Sequence, residues 1–236
     1  MALDLDGTIA PIAPRPELAR VPAATLRALK RAARAESVRI VVLSARPLSD
    51  LKRLVPVRNV ELVGQYGLEG PVAPSAGIVA RFRRACARVT RALRPVVGST
   101  RGAFLEPKSL TVAVHDRSVR APSARRKLRA GIRGVTSGEA RRSGFSPMPG
   151  RSVVDFVPRA WDKGRALRAL RARHRPRTVF YFGDSDGDEP AFRTLGRGDF
   201  PVRVGRDGTR ARYRVLNQGG VARFLDAVTA HRAGPA

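Results

Sequence analysis

Cysteine, lysine and acidic residues are all scarce in this chain of 236 residues. The single cysteine, Cys86, excludes an intrachain disulfide and any cysteine-based metal cluster. A reducing compartment, most simply the cytoplasm, is the expected home. Only five lysines (30, 52, 108, 127 and 163) are present, so the basic excess is almost wholly arginine. Lys+Arg number 46 against 19 Asp+Glu, for a formal net charge of +27. Long apolar runs are absent too, which excludes a membrane-spanning helix. Asp4 and Asp6 interrupt the apolar N-terminus, so no secretory signal pattern is read there. Aromatics make up 6% of the chain and do not interleave with the arginines. That argues against base stacking and makes nucleic acid the less favoured partner, although the charge alone would allow a basic nucleic-acid-binding protein. A positive field that gathers an anionic, phosphorylated substrate is the better reading. Hydrophobic residues at 43% indicate a globular protein of one large or two small domains.

Residues 3–8, Leu-Asp-Leu-Asp-Gly-Thr, are the most informative stretch. Residues two apart on a strand share a side, so Asp4 and Asp6 are expected to converge where the chain turns at Gly7. Two anions that close call for a cation, and a hard divalent ion with oxygen ligands, Mg2+, suits them. Taken alone, the same residues also fit a surface Asp-Gly turn. Only Met1, Ala2 and Leu3 precede Asp4, fewer than the about five residues typical of a strand. The first strand is therefore expected either to be short or to begin upstream.

Apolar strands alternate with helical patterns along much of the chain. Strands are expected over 38–43, 60–63, 178–182 and 201–204, and helices over 22–35, 47–54, 162–173, about 188–195 and 219–230. This is the pattern of an α/β fold with a parallel sheet. Residues 71–77 are rich in Pro, Gly, Ala and Ser and mark a boundary. Beyond them, 77–94 reads as an amphipathic helix with Cys86 on its apolar face. Residues 110–115 and 152–157 read as strands, and 120–133 as a basic helix. The expected organisation is a core of 1–72 and 154–236 interrupted by an α+β insert at 73–153. The last residues, from about 231, are expected to fray.

Four features punctuate the core in order: Asp4 with Asp6, Ser44 after Val-Arg-Ile-Val-Val-Leu, Lys163 at a helix start, and Asp184 with Asp188 after Thr-Val-Phe-Tyr-Phe-Gly. Apart from the lysine, each follows the carboxyl end of an apolar strand, the edge where open α/β sheets bind ligands. Singly, a serine or lysine in such a place is more often a cap or a solvated side chain. Together they fit phosphoryl transfer, which needs a nucleophile, a proton donor and positive charge around the phosphoryl group. Asp4 can attack phosphorus as a carboxylate. Asp6 can protonate the leaving oxygen and then deprotonate water. Ser44 and Lys163 would bind phosphoryl oxygens. Asp4, the backbone carbonyl of Asp6 and Asp184 would hold Mg2+, with Asp188 supporting that site.

This order of residues resembles the haloacid-dehalogenase-like (HAD) phosphatases, whose fold is a Rossmann-like core. The insert between the serine and lysine motifs resembles that of the class with an α+β cap, type C2B. Finer motifs resemble the trehalose-6-phosphate phosphatases: DLDGTIAPI at 4–12, Ser44-Ala45-Arg46, Gly64-Gln65-Tyr66-Gly67-Leu68-Glu69, Glu106-Pro107-Lys108, His115-Asp116-Arg117, Asp155-Phe156-Val157-Pro158 and GDSDGDE at 183–189. Ser185 and Gly187 stand where that family has Asp and Thr, Asp155 where it has Glu, and Val157 where it has Arg. The resemblance implies hydrolysis of trehalose 6-phosphate through an aspartyl-phosphate, with Mg2+. It also implies substrate contacts from Arg46, Glu106, Lys108, His115, Arg117 and Asp155, and a trehalose-6-phosphate synthase as a partner. Another sugar phosphate, such as sucrose phosphate or mannosylglycerate phosphate, is the nearest alternative substrate.

Overall fold

A computed structural model describes residues 1–150 and 152–230 of the chain. The tail expected to fray from 231 lies outside the described residues. The chain forms two compact units. The larger comprises Met1–Ala73 and the chain from Asp162 onward, and the smaller is Pro74–Trp161.

In the larger unit the strands are β1 (Ala2–Leu3), β2 (Ile40–Leu43), β3 (Val60–Val63), β8 (Phe180–Gly183), β9 (Phe200–Val204) and β10 (Tyr213–Val215), and the numbers between belong to the smaller unit. They form one parallel sheet in the order β10-β9-β8-β1-β2-β3. The helices are α1 (Ala23–Ala32), α2 (Leu48–Leu54), α5 (Lys163–His174), α6 (Glu189–Phe192) and α7 (Gln218–Ala230). Strand residues alternate between two apolar layers. Leu3, Val42, Phe182 and Val202 pack with Leu29 of α1 and Leu225 of α7. Ala2, Val41 and Tyr181 pack with Leu167 and Leu170 of α5 and Phe192 of α6. Burial on both faces explains why these strands read as continuous apolar runs.

From β1 the chain winds outward through β2 to β3, then returns beside β1 as β8 and winds the other way. The order therefore reverses between β1 and β8, and the crevice at their carboxyl ends is the preferred ligand position of such a sheet. Strand β1 has two residues, but its pairing runs further, because the Val41 amide donates to the Met1 carbonyl and the Asp4 amide to the Phe182 carbonyl.

The smaller unit pairs β4 (Phe104–Pro107), β5 (Val112–His115), β7 (Val153–Pro158) and β6 (Phe145–Gly150) in an antiparallel sheet of order β4-β5-β7-β6. Helices α3 (Ala76–Gly98) and α4 (Pro122–Val135) cover one face. There Val89 and Leu93 of α3 and Leu128 of α4 pack on Val112, Val114 and Phe156. Each such side chain contributes about 1.5–3 kcal/mol by leaving water.

The sequence pattern resumes the core at 154. That position lies inside β7, which pairs with β5 and β6, so the unit runs on to Trp161. The Trp161 ring stands edge-on to Phe82 of α3, with centroids 5.4 Å apart, and ties the end of the unit to its first helix. Helix α3 also outruns the expected end at Arg94. It contains Pro95, but the following turn is kept because Val97 is buried in the core.

Cys86 is buried on α3, and burial pushes its thiol up to about 11. It stays neutral below that pH, and the thiolate is the reactive form. Native protein at about pH 8 is therefore expected to react with a disulfide probe far more slowly than denaturant-unfolded protein. Rapid labelling of the native protein would contradict this packing.

Candidate active site

Asp4 leaves β1 as the sheet order reverses and is only 5% exposed. Lys163, the first residue of α5, reaches it with Nζ 2.7 Å from Oδ1. The same ammonium lies 2.7 Å from Oδ1 of Asp188. Asp162 caps α5 by accepting from the Arg165 amide, which fixes the helix start that carries Lys163.

Asp188 is saturated with donors. Lys163 Nζ and the Tyr181 phenol, at 2.8 Å, meet Oδ1. The amides of Asp184 and Ser185 and the Ser185 hydroxyl, at 3.0–3.1 Å, meet Oδ2. Burial would raise this carboxyl, but Lys163 and these hydrogen bonds hold it below the ordinary range. A carboxylate offers about four acceptor sites, so five donors leave Asp188 little capacity to bind a cation directly. Ser185, where the resembled pattern has an acid, is the cap of the turn Asp186–Asp188 and donates to Asp188.

Asp4, Asp184 and Asp188 form the acidic cluster, each offering an oxygen within 4.8 Å of the others. Burial first, then Asp188, pushes Asp184 up to about 6. Burial raises Asp4 well above its ordinary value, with Lys163 opposing and Asp188 and Asp184 adding. Burial would lower Lys163, but Asp188 and Asp4 outweigh it and raise the amine. Three carboxylates against one ammonium leave two negative charges in excess when all are ionised. The site therefore fits a hard divalent cation, with Asp4 and Asp184 as carboxylate donors.

Gly7 makes this crowding possible. Its φ is 84°, and a Cβ there would lie 2.0 Å from Asp184 Oδ2. Thr8 places its hydroxyl 3.4 Å from Asp184 Oδ1. Gln218 of α7 donates to the Gly7 carbonyl at 2.6 Å and holds the turn from the far end of the chain.

The sequence pattern brings the Asp4 and Asp6 carboxylates to one side of the turn, and Asp6 is among the charges that raise Asp184. Asp6 is gripped by Arg46, with Nε–Oδ2 at 2.7 Å and Nη2–Oδ1 at 2.8 Å. Guanidinium geometry favours this two-pronged pairing. Arg46 also meets the Pro16 carbonyl and Asp50. Ser44, buried at the end of β2, accepts from the Arg46 amide. The turn Gln65–Gly67 backs both: the Tyr66 amide donates to the Ser44 carbonyl and the Gln65 amide to the Arg46 carbonyl.

The remaining candidates lie in the smaller unit. Lys108 Nζ lies 3.1 Å from Asp155 and 3.7 Å from Glu106, and His115 Nε2 lies 2.7 Å from Glu106. Arg117 lies exposed in the turn after β5. Sequence reasoning missed Tyr181 and Gln218. A tyrosine inside an apolar strand reads as core, and only the fold shows that its hydroxyl meets a carboxylate.

A doubly wound parallel sheet with aspartates at its reversal and an inserted antiparallel unit is an α/β fold shared with a haloacid dehalogenase-like hydrolase of Bacteroides thetaiotaomicron, which superposes with a TM-score of 0.61 at 16% identity and covers 96% of this chain and 98% of that one. Within that class, the chain belongs to the trehalose-phosphatase family, whose model matches residues 2–215. A trehalose-6-phosphate phosphatase of Escherichia coli is 29% identical over 230 residues, covering 96% of this chain and 85% of that protein. An uncharacterized glycosyl hydrolase of Mycobacterium tuberculosis is 35% identical over 207 residues, covering 80% of this chain. The match spans only 15% of that longer protein. The C-terminal domain of a Candida albicans trehalose-6-phosphate phosphatase superposes with a TM-score of 0.85 at 20% identity, covering 98% of this chain and 92% of that one. Among the described residues, no helix is long and apolar enough to cross a membrane.

Asp184 links the site to pH. Its value of about 6 stands above the ordinary 3.8, so the folded state holds the proton more tightly. That stabilisation is complete below 3.8 and is lost as pH rises through about 6. Above it a divalent cation can take the proton's place. MgCl2 is therefore expected to raise the melting temperature more at about pH 7.5 than at about pH 5. An equal shift at both pH values would contradict the assignment of Asp184 as a metal ligand.

Proposed function

We propose that the chain is a Mg2+-dependent phosphatase that hydrolyses trehalose 6-phosphate to trehalose and inorganic phosphate. The observation that carries this reading is the buried Asp4–Lys163–Asp188 arrangement beside Asp184, in a chain of the trehalose-phosphatase family. It reads as a hydrolytic centre rather than a binding surface, since a pure binder has no use for two buried acids and a half-buried third around one amine.

Asp4 is the nucleophile. Lys163 fixes one of its oxygens, so its carboxylate is aimed before substrate arrives. Attack on phosphorus forms an aspartyl-phosphate as the bond to the sugar oxygen breaks. Asp6 gives its proton to that oxygen, then takes one from the water that attacks the intermediate and returns Asp4. For this, Arg46 exchanges its hold on Asp6 for a substrate oxygen. Ser44 and Lys163 carry charge and hydrogen bonds to the phosphoryl group. Asp4, the Asp6 carbonyl and Asp184 would hold Mg2+, which supplies charge neutralisation for the phosphoryl oxygens. Asp188 acts by keeping Lys163 in place.

Glu106, Lys108, His115, Arg117 and Asp155 recognise the sugar hydroxyls. The substrate is a product of glycosyl transfer, so a synthase of that kind is the partner activity that supplies it.

Asp4→Asn is expected to lower kcat by at least about a thousandfold. Near-normal phosphate release from trehalose 6-phosphate by that variant would overturn the mechanism. Lys108→Ala is expected to reduce kcat/KM for trehalose 6-phosphate about tenfold or more while sparing acetyl phosphate. Parallel losses on both substrates would remove the smaller unit from substrate choice.

A further inference from the structure

The face of the smaller sheet opposite α3 and α4 carries at its edge an apolar group without a role in the proposed reaction. Phe104 begins β4 and is 51% exposed, one of the few large apolar side chains in that state among the described residues. Antiparallel register shows which residues share its side. Phe104 is paired with His115, and His115 with Val153. The next row on the same side is Glu106, Ala113 and Asp155. The intervening residues Leu105, Val114 and Val154 belong to the opposite face, where Val114 is buried and the other two pack against the core formed with α3 and α4. Phe104 thus stands on the polar face, although the helix-covered face is one residue away.

Its ring lies beside the His115 imidazole, with centroids 5.7 Å apart and planes tilted by 35°. His115 in turn meets Glu106, and Glu106 and Asp155 flank Lys108. One face therefore presents a flat apolar ring at the rim of a group of hydrogen-bonding side chains. A pyranose has matching chemistry: a C–H face that is apolar and a rim of hydroxyls. Sites for small polar ligands combine aromatic walls with a few placed polar groups in this way. An exposed ring is also costly to leave in water, and cover by a ligand relieves that cost.

We propose that Phe104 is a specificity-determining residue, a stacking platform for a sugar ring of the substrate, with Glu106 and His115 taking hydroxyls beside it. This rests on the reading of the chain as a sugar-phosphate phosphatase and adds an apolar contact to it. The contact acts in binding, because a phenyl ring has no group that exchanges protons or bonds with a phosphoryl ester.

The test compares kcat and KM for trehalose 6-phosphate and for acetyl phosphate, which has no ring to stack. Phe104→Ala and Phe104→Leu are expected to raise KM for trehalose 6-phosphate about three- to tenfold with kcat little changed. Phe104→Tyr, which keeps a flat ring, is expected to retain wild-type KM, and acetyl phosphate turnover is expected to be unaltered in all three. Exposure of the ring makes the variants expected to melt with the wild type. Unchanged KM in Phe104→Ala, a Phe104→Leu variant that behaves as wild type, or equal losses on both substrates would overturn the stacking role while leaving the phosphatase reading intact. A wild type that hydrolyses acetyl phosphate but no sugar phosphate would overturn the underlying reading, and the platform with it.

Discussion

The larger unit's chemistry depends on one ammonium group. Lys163 lies 2.7 Å from both Asp4 and Asp188, and all three side chains are buried. Removing either kind of partner from such a group strands a charge, at a cost of about 3–5 kcal/mol. The lysine therefore does two things at once. It makes burial of two carboxylates affordable, and it sets the direction of Asp4.

Asp188 shows how that arrangement is kept from collapsing onto itself. Its five donors come from α5, from β8 and from the turn after β8, so elements distant in sequence agree on one position. A carboxylate so occupied is a fixed anchor. Asp184, a few residues earlier, has the opposite character, raised by burial and by Asp188. Two acids on one turn thus take different work, because one is supplied with donors and the other faces carboxylates.

Much of the core was legible because its signals are local. Val60–Val63 reads as a strand from composition alone, and Lys163 was placed at the start of its helix. The strands that escaped notice lie at sheet edges: Phe104–Pro107, Phe145–Gly150 and Tyr213–Val215. Half-exposed edge strands tolerate Pro, Gly and Arg, so they lack the apolar run of a buried strand. The candidate site was legible as a set of residues but not as a set of pairings. Spacing put Asp4 and Asp6 on one side of a strand, and the turn at Gly7 sends Asp6 to Arg46 and leaves Asp4 with Asp184. Such partner exchange depends on residues forty or more positions away, which periodicity does not report.

The edge strand β6 carries Pro147 and Pro149 at alternate positions and ends in Gly150. Alternate residues direct their amides to the same side of a strand, and the other side of β6 is taken by β7. Both prolines therefore strip donors from a single flank. A sheet of only four strands, rich in valine, would otherwise offer that flank as a template for a strand of another molecule. The residues that hid β6 from the sequence are thus the ones that keep its sheet from growing, a safeguard against self-association written into the border of the smaller unit.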